Sequence, residues 1–335
     1  MSNADLGSST QSVAAPAVVR PTLRGHIAIC RIDHWFKNVF VFPGVVVAVG
    51  MTGAPIDAGL FQRLILGLIS VCLVASSNYV INEVLDAPSD RAHPVKHTRP
   101  VPSGQVSIPL AYVQWLLLMV VGVGVGRLIS LPFAITVAVL WVMGCLYNIP
   151  PIRSKDLPYV DVLSESVNNP LRMLAGWFIV VVGAGSVAPG SLLLSYWMIG
   201  CYFMAMKRYA EFRDIGDQSR AAAYRKSFGF YTEQRLLISI MFYGSAAMLF
   251  LGAFVMRYRL ELILAFPLVA LVMAIYLALA FKPNSAVQRP EGLYKEPVLM
   301  AAVVGCALLA AVLLFVDIPS LPQLLTPTAP TQPHP

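Results

Sequence analysis

The sequence predicts an all-α membrane protein built from transmembrane helices, and three observations lead to that fold class. The 335 residues are 57% hydrophobic and only 12% charged, a composition that few soluble globular domains have. Apolar runs of about 20 residues, each long enough to cross a bilayer as a helix, recur along the chain. These runs are rich in Val, Leu, Ala and Gly and lack the period-2 alternation of a membrane β-barrel.

Nine apolar runs predict nine transmembrane helices, with approximate boundaries that are least clear for the second and fourth. The runs are 38–55, 62–82, 108–131, 132–149, 162–187, 190–209, 234–256, 261–281 and 297–316. One helical domain of residues 25–316 accounts for all of them. The flanking residues 1–24, rich in Ser, Ala and Thr, and 317–335, rich in Pro and Thr, are expected to be disordered tails. No apolar core precedes Arg20, so we do not expect a cleavable signal peptide.

The basic residues predict the orientation of the chain in the membrane. The N-terminal segment and the loops that follow the even-numbered spans contain 19 of the 24 Lys and Arg residues. The positive-inside rule places these bases in the cytoplasm. The sequence therefore predicts a multi-pass protein of the cell (inner) membrane, with its N-terminus and its charged loops cytoplasmic and its C-terminal tail on the opposite side.

An acidic stretch, NEVLDAPSD, follows the second span. On a helix, Asn82, Glu83, Asp86 and Asp90 share one face, where like charges repel unless a cation neutralises them. Magnesium takes one or two carboxylates and leaves its other positions to water and substrate phosphates. The pattern therefore predicts a Mg²⁺ site with Glu83, Asp86 and Asp90 as ligands. Pro88 disfavours helical geometry at the preceding residue, so we expect Asp90 to leave this face.

Bases and a second charged cluster lie on the same side of the membrane. Arg91, Lys96 and Arg99 follow the acidic stretch and are suited to binding phosphate. In KRYAEFRDIGD, which begins at Lys207, that lysine, Glu211 and Asp214 line one helix face. The alternatives are a solvated loop whose acids and bases pair with each other and, for the second cluster, a positive-inside anchor with internal ion pairs.

Arg172 differs from the other bases because it lies within an apolar span, beside Asn168 and Asn169. A charge at membrane depth is a functional candidate by default. We expect its partner to be a substrate phosphate or an acid such as Glu165.

NEVLDAPSD resembles the N-[D/E]-x-x-D-x-x-x-D signature of the UbiA-type intramembrane prenyltransferases, and DRAHPVKHTRPVPSG is similar to the segment that follows it. The resemblance covers nearly the whole chain. It implies a helical bundle around a central cavity open to the cytoplasmic side, with magnesium at the acidic motifs and cleavage of a diphosphate to release an electrophilic carbon. Glu83 stands where Asp is commoner. The second cluster reads E-x-x-D-x-x-D, which leaves a second magnesium ion open.

Shorter stretches resemble the decaprenyl-phosphate phosphoribosyltransferase branch of that family: RIDHWFKN, LYNIPPIRSKDLPYVDV with NPLRMLAG, and KRYAE. This resemblance implies transfer of a 5-phosphoribosyl group from phosphoribosyl diphosphate to a polyprenyl phosphate. With it, we assign catalytic roles to Asp86, Asp90 and Lys37. The residues assigned to substrate binding are Asn82, Arg91, Lys96, Arg99, Lys155, Arg172, Lys207, Arg208 and Glu211. Among them, Arg172, Lys207 and Arg208 are expected to bind the lipid phosphate.

Two other functions stay open from the sequence. One is conventional prenyl transfer from a polyprenyl diphosphate to an aromatic or similar acceptor. The other is a lipid carrier or transporter without chemistry, although charges at one membrane face and the lack of a visible internal repeat argue against a transporter. The expected partners are phosphoribosyl diphosphate, a polyprenyl phosphate and the lipid bilayer, without nucleic acid, and a homo-oligomer stays open.

Overall fold

The computed structural model describes residues 20–91, 96–183 and 185–325, and this part of the chain is helical and contains no strand. Its α-helices are α1 (Leu23–Ala28), α2 (Phe42–Thr52), α3 (Ala58–Asp90), α4 (Ile108–Arg127), α5 (Leu131–Asn148), α6 (Val160–Ser166), α7 (Asn168–Val180), α8 (Gly190–Ile215), α9 (Gln218–Tyr224), α10 (Glu233–Tyr258), α11 (Phe266–Ala280), α12 (Pro297–Leu313) and α13 (Leu321–Leu325). A 3₁₀ segment, Ile32–Val41, joins α1 to α2.

Within these ranges, six helical stretches are long and apolar enough to cross a membrane. They are Leu23–Thr52, Ala58–Asp90, Ile108–Arg127, Leu131–Asn148, Glu233–Tyr258 and Leu260–Ala280. The shorter α12 is also apolar. The protein is therefore a multi-pass helical membrane protein. The count of nine spans stays a prediction, because α6 and α7 divide the fifth predicted span and α8 contains interspersed Ser, Tyr, Trp and Lys.

The ends of the described chain are helical where tails were expected. α1 begins at Leu23, and the hydroxyl of Thr22 caps it by accepting a hydrogen bond from the Gly25 N–H at 3.0 Å. At the other end, α13 lies inside the segment 317–335. Residues 1–19 and 326–335 lie outside the described residues, so disorder there stays a prediction.

The acidic stretch forms the last two turns of α3, a helix of 33 residues. Pro88 lies inside this helix, which continues to Asp90, so the expected disturbance at Ala87 is wrong. Proline here removes one backbone hydrogen bond in the last turn of the helix. Packing also holds this end, because Val84 and Ala87 are buried in a small core with Ile29 and Val101.

Two larger cores hold the bundle together. In the first, α2, α3, α5 and α7 pack around Phe133 and Trp177, and in the second, α8, α10 and α11 pack around Met206 and Tyr243. α2 and α7 approach each other backbone to backbone at Gly44 and Gly176, where an added Cβ would collide with a carbonyl oxygen of the facing segment. This contact fixes the 3₁₀ segment 32–41 against α7.

Candidate active site

Asp86 is the centre of a polar group that we call the Asp86 cluster: Asn82, Asp86, Asn148, Arg153 and Lys155. The Asp86 Oδ1 atom accepts hydrogen bonds from Arg153 Nη2 at 2.9 Å and from Lys155 Nζ at 2.6 Å. Asn148 Oδ1 accepts from Asn82 Nδ2 at 2.6 Å and from Lys155 Nζ at 3.0 Å. Two bases and two amides from different parts of the sequence therefore surround one carboxylate.

The loop after α5 places both bases. Pro150 and Pro151 follow the end of α5 and cannot continue the helix. Arg153 then has a left-handed backbone, with φ of 33°, and the chain turns back in a 3₁₀ segment, Ser154–Asp156. Lys155 is only 6% exposed. Burial lowers the pKa of Lys155, and the nearby charge of Asp86 opposes that change.

Glu83 and Asp90 lie on the same helix as Asp86 but bind other partners. Glu83 is buried, and its Oε1 atom accepts from the Val101 N–H at 3.0 Å. Asp90 is also buried and pairs with Arg99, with Oδ2 and Nη1 2.8 Å apart. Among the residues that the structure describes, no three His, Cys, Asp or Glu side chains form a metal-binding group. The structure therefore does not bring the predicted trio of Glu83, Asp86 and Asp90 into one site.

The Asp86 cluster nevertheless contains the donor types that magnesium prefers. Mg²⁺ needs one or two carboxylates and takes its remaining oxygen ligands from water and substrate phosphates. Asp86 offers a carboxylate whose side chain is 21% exposed, and the amide of Asn82 lies one helical turn away. These residues fit a metal ion that arrives with a diphosphate.

A second charged group, the Arg208 network, is buried between α6 and α8. The Arg208 guanidinium donates to Asp161 at 3.1 Å, to Glu165 at 3.0 Å and to Glu211 at 3.2 Å. Its side chain is only 3% exposed. Arg208 was expected to bind the lipid phosphate, but three carboxylates already neutralise it. That assignment is corrected: Arg208 holds the helices together.

Asp161 is a residue of this network that the sequence did not single out. Its side chain is fully buried, and it accepts from Arg225 at 3.1 Å and from the Tyr231 hydroxyl at 2.7 Å. Arg225 lies in the loop between α9 and α10, so this loop also contributes to the network. The available signal was an acid two residues after Tyr159 and one residue before the predicted span 162–187. Its partners are 47 to 70 residues away in the sequence, so spacing could not identify them.

The remaining predicted residues lie around these two groups. Lys37 is 3.0 Å from His34 Nδ1 within the 3₁₀ segment 32–41. Arg91 is exposed at the end of α3. Lys96 Nζ lies 4.9 Å from the centre of the Tyr224 ring, so the loop after α3 meets the end of α9 there. Burial lowers the pKa of Lys96, and Asp90 opposes that change. Lys207 is 4.0 Å from Glu211.

Arg172 lies on α7, deeper in the bundle than these loops. Its Nε donates to Asn38 Oδ1 at 3.0 Å. The expected partner Glu165 instead accepts from the Tyr147 hydroxyl at 2.8 Å and from Arg208. Among the described residues, no carboxylate lies within ion-pair distance of Arg172.

Comparisons with known proteins show which sequences this chain is similar to. The family model described as "UbiA prenyltransferase family" matches residues 39–295. The decaprenyl-phosphate phosphoribosyltransferase of Mycolicibacterium smegmatis is 30% identical over 238 residues, which are 69% of this chain and 69% of that protein. The enzyme of the same name from Corynebacterium glutamicum is 31% identical over 222 residues, 62% of this chain and 60% of that protein.

A solved structure shares the fold. It is a UbiA homolog from Archaeoglobus fulgidus bound to DMAPP and Mg²⁺, with a TM-score of 0.64 and 18% sequence identity. The match covers 87% of this chain and 99% of that chain.

Proposed function

This chain belongs to the UbiA prenyltransferase family and is a transferase, and from that premise we propose that it transfers a 5-phosphoribosyl group from phosphoribosyl diphosphate to a polyprenyl phosphate, releasing diphosphate. The observation that carries the proposal is the convergence of Arg153 and the buried Lys155 on one carboxylate, Asp86. Bases placed beside a carboxylate in this way suit a metal–diphosphate group. The names of two relatives support the sugar phosphate as the transferred group.

Asp86 and Asn82 are the residues that would hold a magnesium ion. The ion, when bound, neutralises diphosphate charge and makes diphosphate a better leaving group. Arg153 and Lys155 add positive charge at the same place. Their contribution is electrostatic, and it is strongest where burial reduces screening by water.

In the reaction, an oxygen of the lipid phosphate forms a bond to C1 of the ribose. The bond between C1 and the diphosphate oxygen breaks, and its electron pair leaves with the diphosphate. The ribose passes through an oxocarbenium-like state, which fixed charges stabilise. A phosphate nucleophile is already ionised, so the step needs no general base. This agrees with the absence of a His or Cys in the Asp86 cluster.

Bases of the predicted cytoplasmic face would bind the remaining phosphate charge. Lys96 and Arg99 lie in the loop after α3, and Lys37 lies in the 3₁₀ segment 32–41. Lys207, at the edge of the Arg208 network, stays a candidate for the lipid phosphate. Arg208 itself acts through the packing of α6 on α8, and a polyprenyl tail would lie in the bilayer of the inner membrane beside the bundle.

The test uses purified full-length protein with Mg²⁺, phosphoribosyl diphosphate and a polyprenyl monophosphate. We expect the lipid to gain the mass of one phosphoribosyl group, and diphosphate to appear only when both substrates are present. Consumption of a polyprenyl diphosphate with an aromatic acceptor, and none of the sugar donor, would establish conventional prenyl transfer instead. Lipid binding without diphosphate release from any donor would indicate a carrier.

A further inference from the structure

Resting on the proposed function, we propose that Arg172 and Asn168 form the subsite for the sugar-phosphate end of the donor. Arg172 binds the 5-phosphate, and Asn168 accepts a hydrogen bond from a ribose hydroxyl. The phosphate that Arg172 recognises would then belong to the sugar donor rather than to the lipid.

The first argument concerns the hydrogen bonds of the Arg172 guanidinium. Asn38 binds its Nε, while its two terminal amino groups donate to no described residue. Asn38 is buried, and its own amide nitrogen donates to Cys72 Sγ at 3.1 Å, which fixes the amide with its oxygen toward Arg172. The free edge of the guanidinium is a planar fork of N–H donors, the geometry that binds two phosphate oxygens. Asn38 is therefore a positioning residue for Arg172.

The second argument is independent and concerns Asn168, one helical turn before Arg172 on the same face of α7. Its Nδ2 donates to the Glu165 carbonyl oxygen at 3.0 Å. Its Oδ1 is buried and has no hydrogen-bond partner among the described residues. A buried acceptor without a partner costs free energy, and it selects a ligand that brings a donor.

The side chains of Asn168 and Arg172 are accessible although α7 packs among other helices. α7 packs against α2, α3, α5 and α8, so it is surrounded by protein. Asn168 and Arg172 are nevertheless partly exposed, and the side chain of Glu165 is 34% exposed. We therefore place the sugar-phosphate end of the donor against this exposed part of α7.

This position is continuous with the Asp86 cluster. Lys155 Nζ lies 5.9 Å from the centre of the Tyr147 ring, and the Tyr147 hydroxyl donates to Glu165. Glu165 is seven residues before Arg172, and Val167 alone separates α6 from α7. A row of contacts thus connects the Asp86 cluster with α7, and we place the donor along it.

The combined chemistry selects a phosphorylated sugar. The guanidinium of Arg172, with its terminal N–H groups available, favours an anion. The amide oxygen of Asn168, which has no described partner, favours a hydroxyl or amine donor. A prenyl chain offers neither, whereas phosphoribosyl diphosphate has ring hydroxyls and a 5-phosphate at the end opposite its diphosphate. The donor thus lies with its diphosphate at the Asp86 cluster and its 5-phosphate at Arg172.

The test measures binding of three ligands to the full-length protein in the presence of Mg²⁺: two fragments of the donor, ribose 5-phosphate and inorganic diphosphate, and a polyprenyl monophosphate. Titration calorimetry is performed on the wild type, Arg172→Gln, Arg172→Lys, Asn168→Ala and, as an exposed-arginine control, Arg213→Gln. Arg172→Gln should weaken ribose 5-phosphate binding by about tenfold or more, as expected for a lost charged hydrogen bond, and leave diphosphate binding within about twofold. Asn168→Ala and Arg172→Lys should give smaller losses, again for ribose 5-phosphate alone, and the control none.

Three results would overturn the subsite. They are unchanged ribose 5-phosphate affinity in both Arg172→Gln and Arg172→Lys, equal loss of both fragments, and a loss confined to polyprenyl phosphate. If Arg172→Gln does not fold, Arg172→Lys and Asn168→Ala provide the test. In both, the loss of ribose 5-phosphate affinity is compared with the loss of diphosphate affinity. Failure of the proposed function looks different, because the wild type would then neither consume phosphoribosyl diphosphate nor bind ribose 5-phosphate. A wild type that consumes the donor but does not bind the fragment overturns the subsite alone.

Discussion

The Asp86 cluster and the Arg208 network use the same residue types in opposite ways. In the network, Arg208 is 3% exposed, Asp161 is fully buried, and each binds three or more partners. In the cluster, two bases share a single carboxylate oxygen on a side chain that is 21% exposed. In a buried network whose charges all have partners, a ligand cannot replace one partner at low cost, because removing one member leaves the others unpaired. A cluster with one accessible carboxylate exchanges partners with an incoming anion at much lower cost.

The largest expected effect is a loss of activity from a substitution in the Asp86 cluster. Asp86→Asn should reduce diphosphate release by about 100-fold or more, because the central carboxylate for the metal ion is lost. The protein should remain folded, since asparagine has the same size as aspartate, Arg153 is partly exposed and Lys155 keeps Asn148 as an acceptor. Diphosphate release at saturating Mg²⁺ measures the first expectation and thermal unfolding the second. Activity above about a tenth of wild type would contradict the role of Asp86.

The next effect is on stability and belongs to the other region. Arg208→Met should destabilise the protein by about 3–5 kcal/mol, because Asp161, Glu165 and Glu211 then lack their common cation. The adjacent Lys207→Met is the matched control. Lys207 makes a single 4.0 Å pair, and losing it should cost about 1 kcal/mol or less. Thermal unfolding in one detergent compares the two, and equal losses would show that the network is not structural.

The smallest effect concerns the pH dependence of donor binding at Lys155. Burial lowers the pKa of Lys155 from 10.5, so this lysine loses its proton at a pH below that value. Diphosphate binding should weaken as the pH rises through that lowered pKa. Stability should change in the opposite direction, because between the lowered pKa and 10.5 the unfolded chain holds more protons, so stability increases with pH.

Lys155→Arg supplies the control for this pH effect, since arginine stays protonated throughout the range. Its diphosphate affinity should change less above neutral pH than that of the wild type. Titration of diphosphate at several pH values provides the measurement. An identical alkaline decrease in both proteins would show that another group is responsible.

The sequence by itself determined the helical membrane fold and the family. Runs of apolar residues require helices that satisfy every backbone hydrogen bond within the segment, so run length and composition suffice for that conclusion. The order Asn82, Glu83, Asp86, Asp90 also identified the acidic end of α3. Both signals are local, because they depend on neighbouring residues in one helix. A local pattern can be recognised without knowing how the remaining chain packs.

Only the tertiary structure decided which charges are available to a ligand. Asp86 meets Lys155 across 69 residues, and Arg208 meets Asp161 across 47, so no spacing rule relates either pair. From the sequence, we expected Arg208 and Arg172 to have the same role. In the structure, Arg208 has three carboxylate partners, and Arg172 has none among the described residues. The free energy of a buried charge depends on the partners that packing brings to it, and packing is a property of the whole fold.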